Sequence, residues 1–354
     1  MIKNPFSKDT EQDAVPNSIM LRPGQLEDDQ AAFDVMRRAM GLDMTWSQHS
    51  TSRRHLRTAP NSSFWLAEET LRLGRSRIIG YAHSTVRDDM LQITEFFVLP
   101  SHHGQGIGRA LLANCLNDGD RMGAKRRFVL ASHSAAANRL YMLKAGCFPR
   151  VPMLLLAGNK SMLIPPADSA PVLDTHAAPN PFRLISPNKT TLQEPILAQP
   201  VILTNTLQNE LDALDRRYLG YTRASEHQYW AFQTGGEEGS ARIFRSTSSG
   251  SDAGKIVGYI YYGGMSSGPA LAVNPSDLPR MISHVTSIRP RNSRRHFNFP
   301  DNSEPYWAVA GTNTVVLDWM LRCDWKIVYH YLYMSTDEPP ALDHYLGHNP
   351  LHFF

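Results

Sequence analysis

Three glycines fall within five residues of Val98-Leu-Pro-Ser-His-His-Gly-Gln-Gly-Ile-Gly-Arg-Ala-Leu-Leu112, between an apolar run and an amphipathic segment. An apolar strand must stop at Pro100, and a helix must begin within a few residues. Glycine in that connection lets the chain curl so that successive N–H groups point into one concavity. The N–H groups of a helix start have no partner inside the helix, and the helix dipole makes that end positive, which suits a pyrophosphate. Arg109, a cation in the first turn, is unfavourable against the dipole unless an anion sits there. The same residues also suit a plain strand-to-helix hinge, and the glycines alone leave both readings open. No Lys-Ser/Thr follows as in a Walker loop, and the spacing is not that of a dinucleotide GxGxxG turn.

The pattern around this turn alternates between strand and helix from Ser18 onward. Ile19–Arg22 reads as a strand stopped by Pro23-Gly24, and Asp28 or Asp29 can cap a helix running to about Met40. Phe64–Ala67 and Ile78–Ala82 read as neighbouring antiparallel strands, and Leu91–Leu99 as the strand before the turn. Ile107, Leu111, Leu112, Cys115 and Leu116 form the apolar stripe of the helix after it. Arg127–Ala131 is a strand, Ala135 to about Ala145 a helix ending at Gly146, and Met153–Leu156 a further strand. The order predicts a mixed α/β fold.

The chain is 354 residues long, which favours two domains. We divide it into a leader (1–17), a first domain (18–164), a Pro/Ala-rich linker (165–181) and a second domain (182–354). The second half repeats the order of the first: a strand at Phe182–Ile185, a helix around Leu207–Leu219, then strands near Ala241–Phe244 and Lys255–Tyr262. Ile79-Gly80-Tyr81 returns as Val257-Gly258-Tyr259, and Val98-Leu-Pro100-Ser as Val273-Asn-Pro275-Ser. Pro100 to Asn138 also matches Pro275 to Asn313 in spacing, so we expect an internal duplication. In that alignment Val316 stands where Tyr141 does. A net charge of +3 gives no electrostatic reason to expect nucleic acid. The basic run 289–296 reads as a solvated loop more readily than as a binding patch. Three scattered cysteines, with no CxxC, suggest neither disulfides nor a zinc site. The polar N-terminus and the strand-sized apolar runs suggest no secretion signal and no membrane span, hence a cytoplasmic protein without a metal.

The stretch from about Ile93 to Phe148 resembles the GCN5-related N-acetyltransferase (GNAT) family. In that family a Q/R-x-x-G-x-G/A turn binds the pyrophosphate of acetyl-CoA; the matching residues here are His103, Gly106 and Gly108. His103 replaces the usual Gln or Arg, which removes one side-chain contact and leaves the backbone cradle. Asn138-Arg-Leu-Tyr141 and Gly146-Cys-Phe148 are similar to the family's second signature. The resemblance covers residues 18–157 well and is faint beyond 182. It implies an acyl-CoA N-acyltransferase fold, here as two tandem domains, and acetyl-CoA as co-substrate. It assigns cofactor contacts to His103, Gly104, Gln105, Gly106, Ile107, Gly108, Arg109 and Asn138. Phe97 and Val98 are expected to offer backbone groups to the pantetheine arm as a strand-like pairing.

Acetyl transfer to an amine needs a base, because an alkyl ammonium with a pKa near ~10 is mostly protonated at neutral pH. Glu95 is the candidate. Strand alternation sets it on the face of Ile93 and Phe97, where an apolar residue is expected, so it is either functional or paired with a partner that sequence does not reveal. Tyr141, which the resemblance sets near the thioester sulfur, is the candidate acid. Direct attack by the amine suits the chain better than an acyl-enzyme, since neither Cys115 nor Cys147 has an evident base. The acceptor is expected to be a small-molecule amine, with a protein amine second; its contacts are expected in about Met36–Arg57. The second domain lacks the glycine turn, replaced by Pro275-Ser-Asp-Leu-Pro-Arg-Met281, and is expected not to bind CoA. The segment Tyr221–Trp230 could line a pocket, although His227 and Trp230 more readily pack a core, and the C-terminal HNPLHFF could reach back towards the acceptor site. A non-catalytic CoA sensor or protein-binding module with the same fold is the alternative, and the oligomeric state stays open.

Overall fold

The computed structural model describes residues 15–42, 46, 50–158, 196–233, 241–247, 249, 251–263, 266–287 and 306–347. The expected linker (165–181), the strand at 182–185, the basic run 289–296, the C-terminal 348–354 and most of the leader lie outside these. The chain divides into two compact units. The first holds the described residues up to Phe148 together with Met334–Asp337, and the second those from Pro149 to Tyr333 and from Glu338 onward.

In the first unit, β1 (Ile19–Pro23), β2 (Ser62–Thr70), β3 (Ser76–Arg87) and β4 (Met90–Val98) are antiparallel neighbours in sequence order. α1 (Asp29–Met40) and α2 (Ser50–Thr58) separate β1 from β2. α1 buries Ala32, Phe33, Val35 and Met36 at helical spacing and stops at Gly41, whose left-handed conformation turns its N–H back onto the Arg37 and Arg38 carbonyls. α3 (Ile107–Arg121) then crosses over the sheet, so β5 (Arg126–Ala131) joins β4 in parallel. Ile107, Leu111, Leu112, Cys115 and Leu116 are all buried, as their stripe predicts. α4 (Ala135–Leu140) continues into a π-helical turn, Tyr141–Ala145, closed by left-handed Gly146.

The second unit contains β6 (Phe148–Ala157) from Pro149 onward, β7 (Ile196–Pro200), α5 (Asn205–Tyr218), α6 (Ala224–Gln233), β8 (Arg242–Ser246), β9 (Ile256–Gly263) and β10 (Ser266–Ala272). These are followed by α7 (Leu278–Ser287), β11 (Tyr306–Ala310), α8 (Thr314–Arg322), β12 (Lys326–Ser335) and the short β13 (Tyr345–Gly347). The last residues of β12 belong to the first unit, where the Thr336 N–H donates to the Arg127 carbonyl at 2.9 Å. β6, which sequence order attaches to the first half, pairs antiparallel with β11. The core is built from Leu278, Met281, Ile282 and Val285 of α7, Val316 and Met320 of α8, and Trp307, Val309 and Leu346 of the sheet.

Element order and two local contacts repeat between the units. Gly80 lacks the Cβ that would meet the Phe97 carbonyl at 3.2 Å and Leu111 of α3 at 3.3 Å; Gly258 does the same beneath the Leu271 carbonyl and Met281 of α7. The Leu99 N–H donates to the Ile79 carbonyl, and the Val273 N–H to the Val257 carbonyl, each at 2.8 Å. Glycine at these points lets the following helix sit close on the sheet. The Asn138/Asn313 match does not carry over. Asn138 lies inside α4, whereas Asn313 caps α8 with its side chain accepting from the Val316 N–H at 3.2 Å. The cap of α4 is Ser134, so the residue in the place of Tyr141 is Met320 rather than Val316.

The second unit is held at one end by a fully buried polar cluster. The Asp215 carboxylate accepts from Arg223 Nε (2.7 Å) and Nη2 (3.0 Å), His227 Nε2 (2.9 Å) and the Tyr259 hydroxyl (2.7 Å). The Arg223 guanidinium lies 5.0 Å from the Trp230 ring. The segment Tyr221–Trp230 therefore supplies core, as the packing reading expects. Burial by itself would raise the Asp215 carboxyl, but Arg223 and His227 hold it well below the ordinary carboxylate range. A depressed carboxyl stabilises the fold above its unfolded value, about pH 4, and that contribution is lost as pH falls. We expect Asp215→Asn, which leaves Arg223 buried without its counter-charge, to lower the unfolding free energy in urea by about 3–5 kcal/mol at neutral pH. The loss should shrink as the wild type itself weakens in acid.

Candidate functional site

The site is organised by how β4 ends. Its parallel pairing with β5 runs from Met90↔Arg126 to Ile93↔Val129, while β4 itself continues to Val98 beside β3. Beyond Ile93 the β5-facing edge of β4 has no strand neighbour among the described residues. Parallel strands that part leave backbone donors and acceptors that an extended partner can take up. Phe97 and Val98, the residues expected to offer backbone groups, lie on this stretch.

A β-bulge at Thr94 re-aims the side chains here. Glu95 pairs with His83 but Ile93 pairs with Ser84, so Glu95 and Ile93 point to opposite faces. This corrects the expectation of one face for Ile93, Glu95 and Phe97; the inserted residue breaks the alternation on which it rested. Glu95 lies instead with Tyr81 and His83, on the face covered by α1 and α2. Its Oε2 accepts from Arg57 Nη2 at 2.5 Å, and Tyr81 donates to its Oε1 at 3.3 Å. Arg57 also reaches Asp29 at 3.2 Å and lies over the Phe64 ring at 4.0 Å. The side chains of Arg57, Asp29 and Glu95 are 2%, 5% and 0% exposed, so this is a buried two-carboxylate, one-guanidinium cluster. Glu95 thus has the partner that the sequence left open. Asp29 and Arg57 escaped sequence reasoning because 66 and 38 positions separate them from Glu95, and no local pattern links an α2 arginine to a β4 carboxylate.

The opposite face carries the turn and the tyrosine. After a 3-10 turn at Pro100–His102 come His103, Gly104, Gln105 and Gly106, and then α3. Gly104 and Gly106 have φ of 80° and 75°, in the left-handed region that a side chain would strain. Gly106 is the helix cap and no side chain caps the first turn, which contains Ile107, Gly108 and Arg109 and no acidic residue. The His103 Nε2 donates back to the Val98 carbonyl at 2.9 Å, tying the turn to the end of β4. A Cβ on Gly108 would meet Phe96 at 3.2 Å and Leu140 at 3.6 Å, so glycine lets α3, β4 and α4 close up here.

Tyr141 stands beside Phe96, ring centroids 5.7 Å apart, and is 5% exposed. Burial, with the nearby Cys147 thiol, pushes its phenol well above the ordinary tyrosine value. Asn138 donates through Nδ2 to the Ser132 carbonyl at 3.1 Å, while its buried Oδ1 has no partner among the described residues. Burial likewise pushes the Cys115 and Cys147 thiols up to about 12, so both stay protonated at neutral pH. Tyr141 and Glu95 therefore approach the unpaired end of β4 from opposite faces of one sheet. Among the described residues no group of three or more His, Cys, Asp or Glu could hold a metal, and no helix is long and apolar enough to cross a membrane.

Comparisons with known proteins agree with this architecture. The model of the acetyltransferase (GNAT) family matches residues 31–146, spanning α1 to the closing glycine of the π-helical turn. The fold is similar to that of a Pyrococcus horikoshii protein classed as an acetyltransferase, at TM-score 0.61 and 13% identity over 95% of this chain and 96% of that one. It is also similar to a GCN5-related N-acetyltransferase of Sphaerobacter thermophilus, at TM-score 0.54 and 14% identity over 93% and 99%. No curated protein matches the sequence. Residues 31–146 are a domain of the GNAT acetyltransferase family, within a chain of mixed α/β GNAT-type fold.

Proposed function

We propose that the chain moves an acetyl group from acetyl-CoA to a primary amine in a ternary complex, and that the unpaired end of β4 is where the extended arm of the co-substrate lies. The observation that carries this reading is the parting of β4 from β5 after Ile93, with an uncapped helix start at one end of the gap and Tyr141 beside it. The residues suit the group. The turn His103–Gly106 and the first turn of α3 offer N–H groups to a pyrophosphate, Arg109 adds charge, and the unpartnered Asn138 Oδ1 accepts a hydrogen bond from the arm. Phe97 and Val98 offer the backbone of a strand edge. The first unit is the catalytic one of two tandem domains.

In the step itself the amine nitrogen bonds to the acetyl carbon while the carbon–sulfur bond breaks. The amine proton passes to Glu95 through water, and the departing thiolate takes the Tyr141 proton. The Arg57 contact at 2.5 Å fixes the Glu95 carboxylate in place, which a proton acceptor requires. Protonated, buried Cys115 and Cys147 suit direct attack better than an acyl-enzyme. A small-molecule amine is the preferred acceptor. The Glu95–Arg57 pair also fits a second reading, in which the carboxylate is structural and the fold senses CoA without turnover.

The test follows thiol release from acetyl-CoA across an amine panel. Tyr141→Phe should lower kcat by about 10²-fold, and Glu95→Gln by about 10- to 100-fold, each with acetyl-CoA affinity nearly unchanged. Turnover unaffected in both variants would overturn this mechanism, whereas no amine accepted despite CoA binding would leave the sensor reading. Because burial raises the Tyr141 pKa, its proton stays in place as the amine loses its own. The kcat/KM profile should therefore climb with pH and show no fall below about pH 10. Arg57→Met should cost about 3–5 kcal/mol in urea unfolding, since it strands two carboxylates in the interior.

A further inference from the structure

β10 and β11 hold the places in the second unit that β4 and β5 hold in the first: each pair flanks a 3-10 turn and a crossover helix. In the first unit the two strands are direct neighbours and part after Ile93. In the second, β13 lies between them and runs antiparallel to both. Ala270 pairs with Leu346 and Leu271 with Tyr345 on one side; Ala308 pairs with Gly347 and Val309 with Leu346 on the other. Tyr345, Leu346, Ala270, Leu271 and Val309 are fully buried. We infer that the second unit's seat for an extended ligand is filled by the chain's own C-terminal strand, so that this unit is closed to the pantetheine arm and each chain takes up one acetyl-CoA.

Two further features agree. The Tyr345 hydroxyl accepts from Arg223 Nη1 at 2.7 Å, so the buried Asp215–Arg223 pair latches the inserted strand. A ligand entering the seat would have to break that bond together with both ladders. The cradle is missing as well. Four residues separate α3 from its 3-10 turn, whereas α7 starts directly after Pro275–Asp277, without the equivalent of His103–Gly106. The Asp277 carboxylate stands just before α7, paired with Arg280 at 2.8 Å, where a phosphate would be repelled. The stoichiometry rests on the function proposed above; the filled seat does not.

Amide hydrogen exchange of the full chain, read by mass spectrometry, separates the two claims. Without ligand, residues 270–272 and 306–310 should exchange as slowly as the paired core strands. Leu346→Pro, which removes an N–H from the middle of β13, should speed exchange there by about tenfold or more and leave 94–98 unchanged. Acetyl-CoA should slow exchange at 94–98 and 103–109 alone, with one molecule per chain in native mass spectrometry. Fast exchange at 270–272 and 306–310 in the intact chain would overturn the inference, as would protection of those residues by acetyl-CoA or two molecules per chain. Protection by acetyl-CoA nowhere would refute the proposed function, while the ligand-free exchange of the intact chain still decides whether the seat is filled.

Discussion

A β-strand edge inside a protein must pair, meet water or wait for a ligand, and the candidate site of the first unit is arranged around an edge where strand pairing stops. β4 and β5 share a parallel ladder only as far as Ile93 and Val129. Tyr141, beside Phe96, and Glu95 lie on opposite faces of the sheet at this end of β4. The small residues of this region follow from the same geometry. Gly108 lets Phe96 and Leu140 close under α3, and Gly80 lets α3 rest on the strand. Each substitutes close approach for a side chain, and the approach defines the site.

Buried charge is used in a related way in both units. An arginine, Arg57 in one and Arg223 in the other, is taken out of water and neutralised by carboxylates, with tyrosine hydroxyls from the central strands around it. In the first unit two carboxylates meet one guanidinium, with all three side chains buried. In the second a single carboxylate is fully satisfied by arginine, histidine and tyrosine, and the network is turned to holding a strand. The same kind of interaction thus supports an open edge in one place and closes one in the other.

Much of this was legible without coordinates. Pro100, the glycines and the 3.6-residue apolar stripe from Ile107 to Leu116 announce the strand, turn and helix, and Gly80 with Gly258 announces the repeat. What stayed illegible depends on contacts across many residues or on one-residue changes of register. The Thr94 bulge carries no sequence signal, yet it reverses the face of Glu95 relative to Ile93. The matched spacing of Asn138 and Asn313 was real in the sequence but not in the fold, because one asparagine lies inside its helix and the other caps it.

By itself, the sequence determined the mixed α/β order, the glycine turn and Glu95 as an out-of-place carboxylate, because these follow from local propensity and strand alternation, while the resemblance of its short motifs to the GNAT family marked Asn138 and Tyr141. Only the tertiary structure decided the partners and the openings: that Arg57 and Asp29 hold Glu95, and that three residues from near the C-terminus lie between β10 and β11. Strand insertion and ion pairing are settled by which backbone edges and charges remain unsatisfied once everything else has packed. That sum runs over the whole unit and is written in no single segment of it.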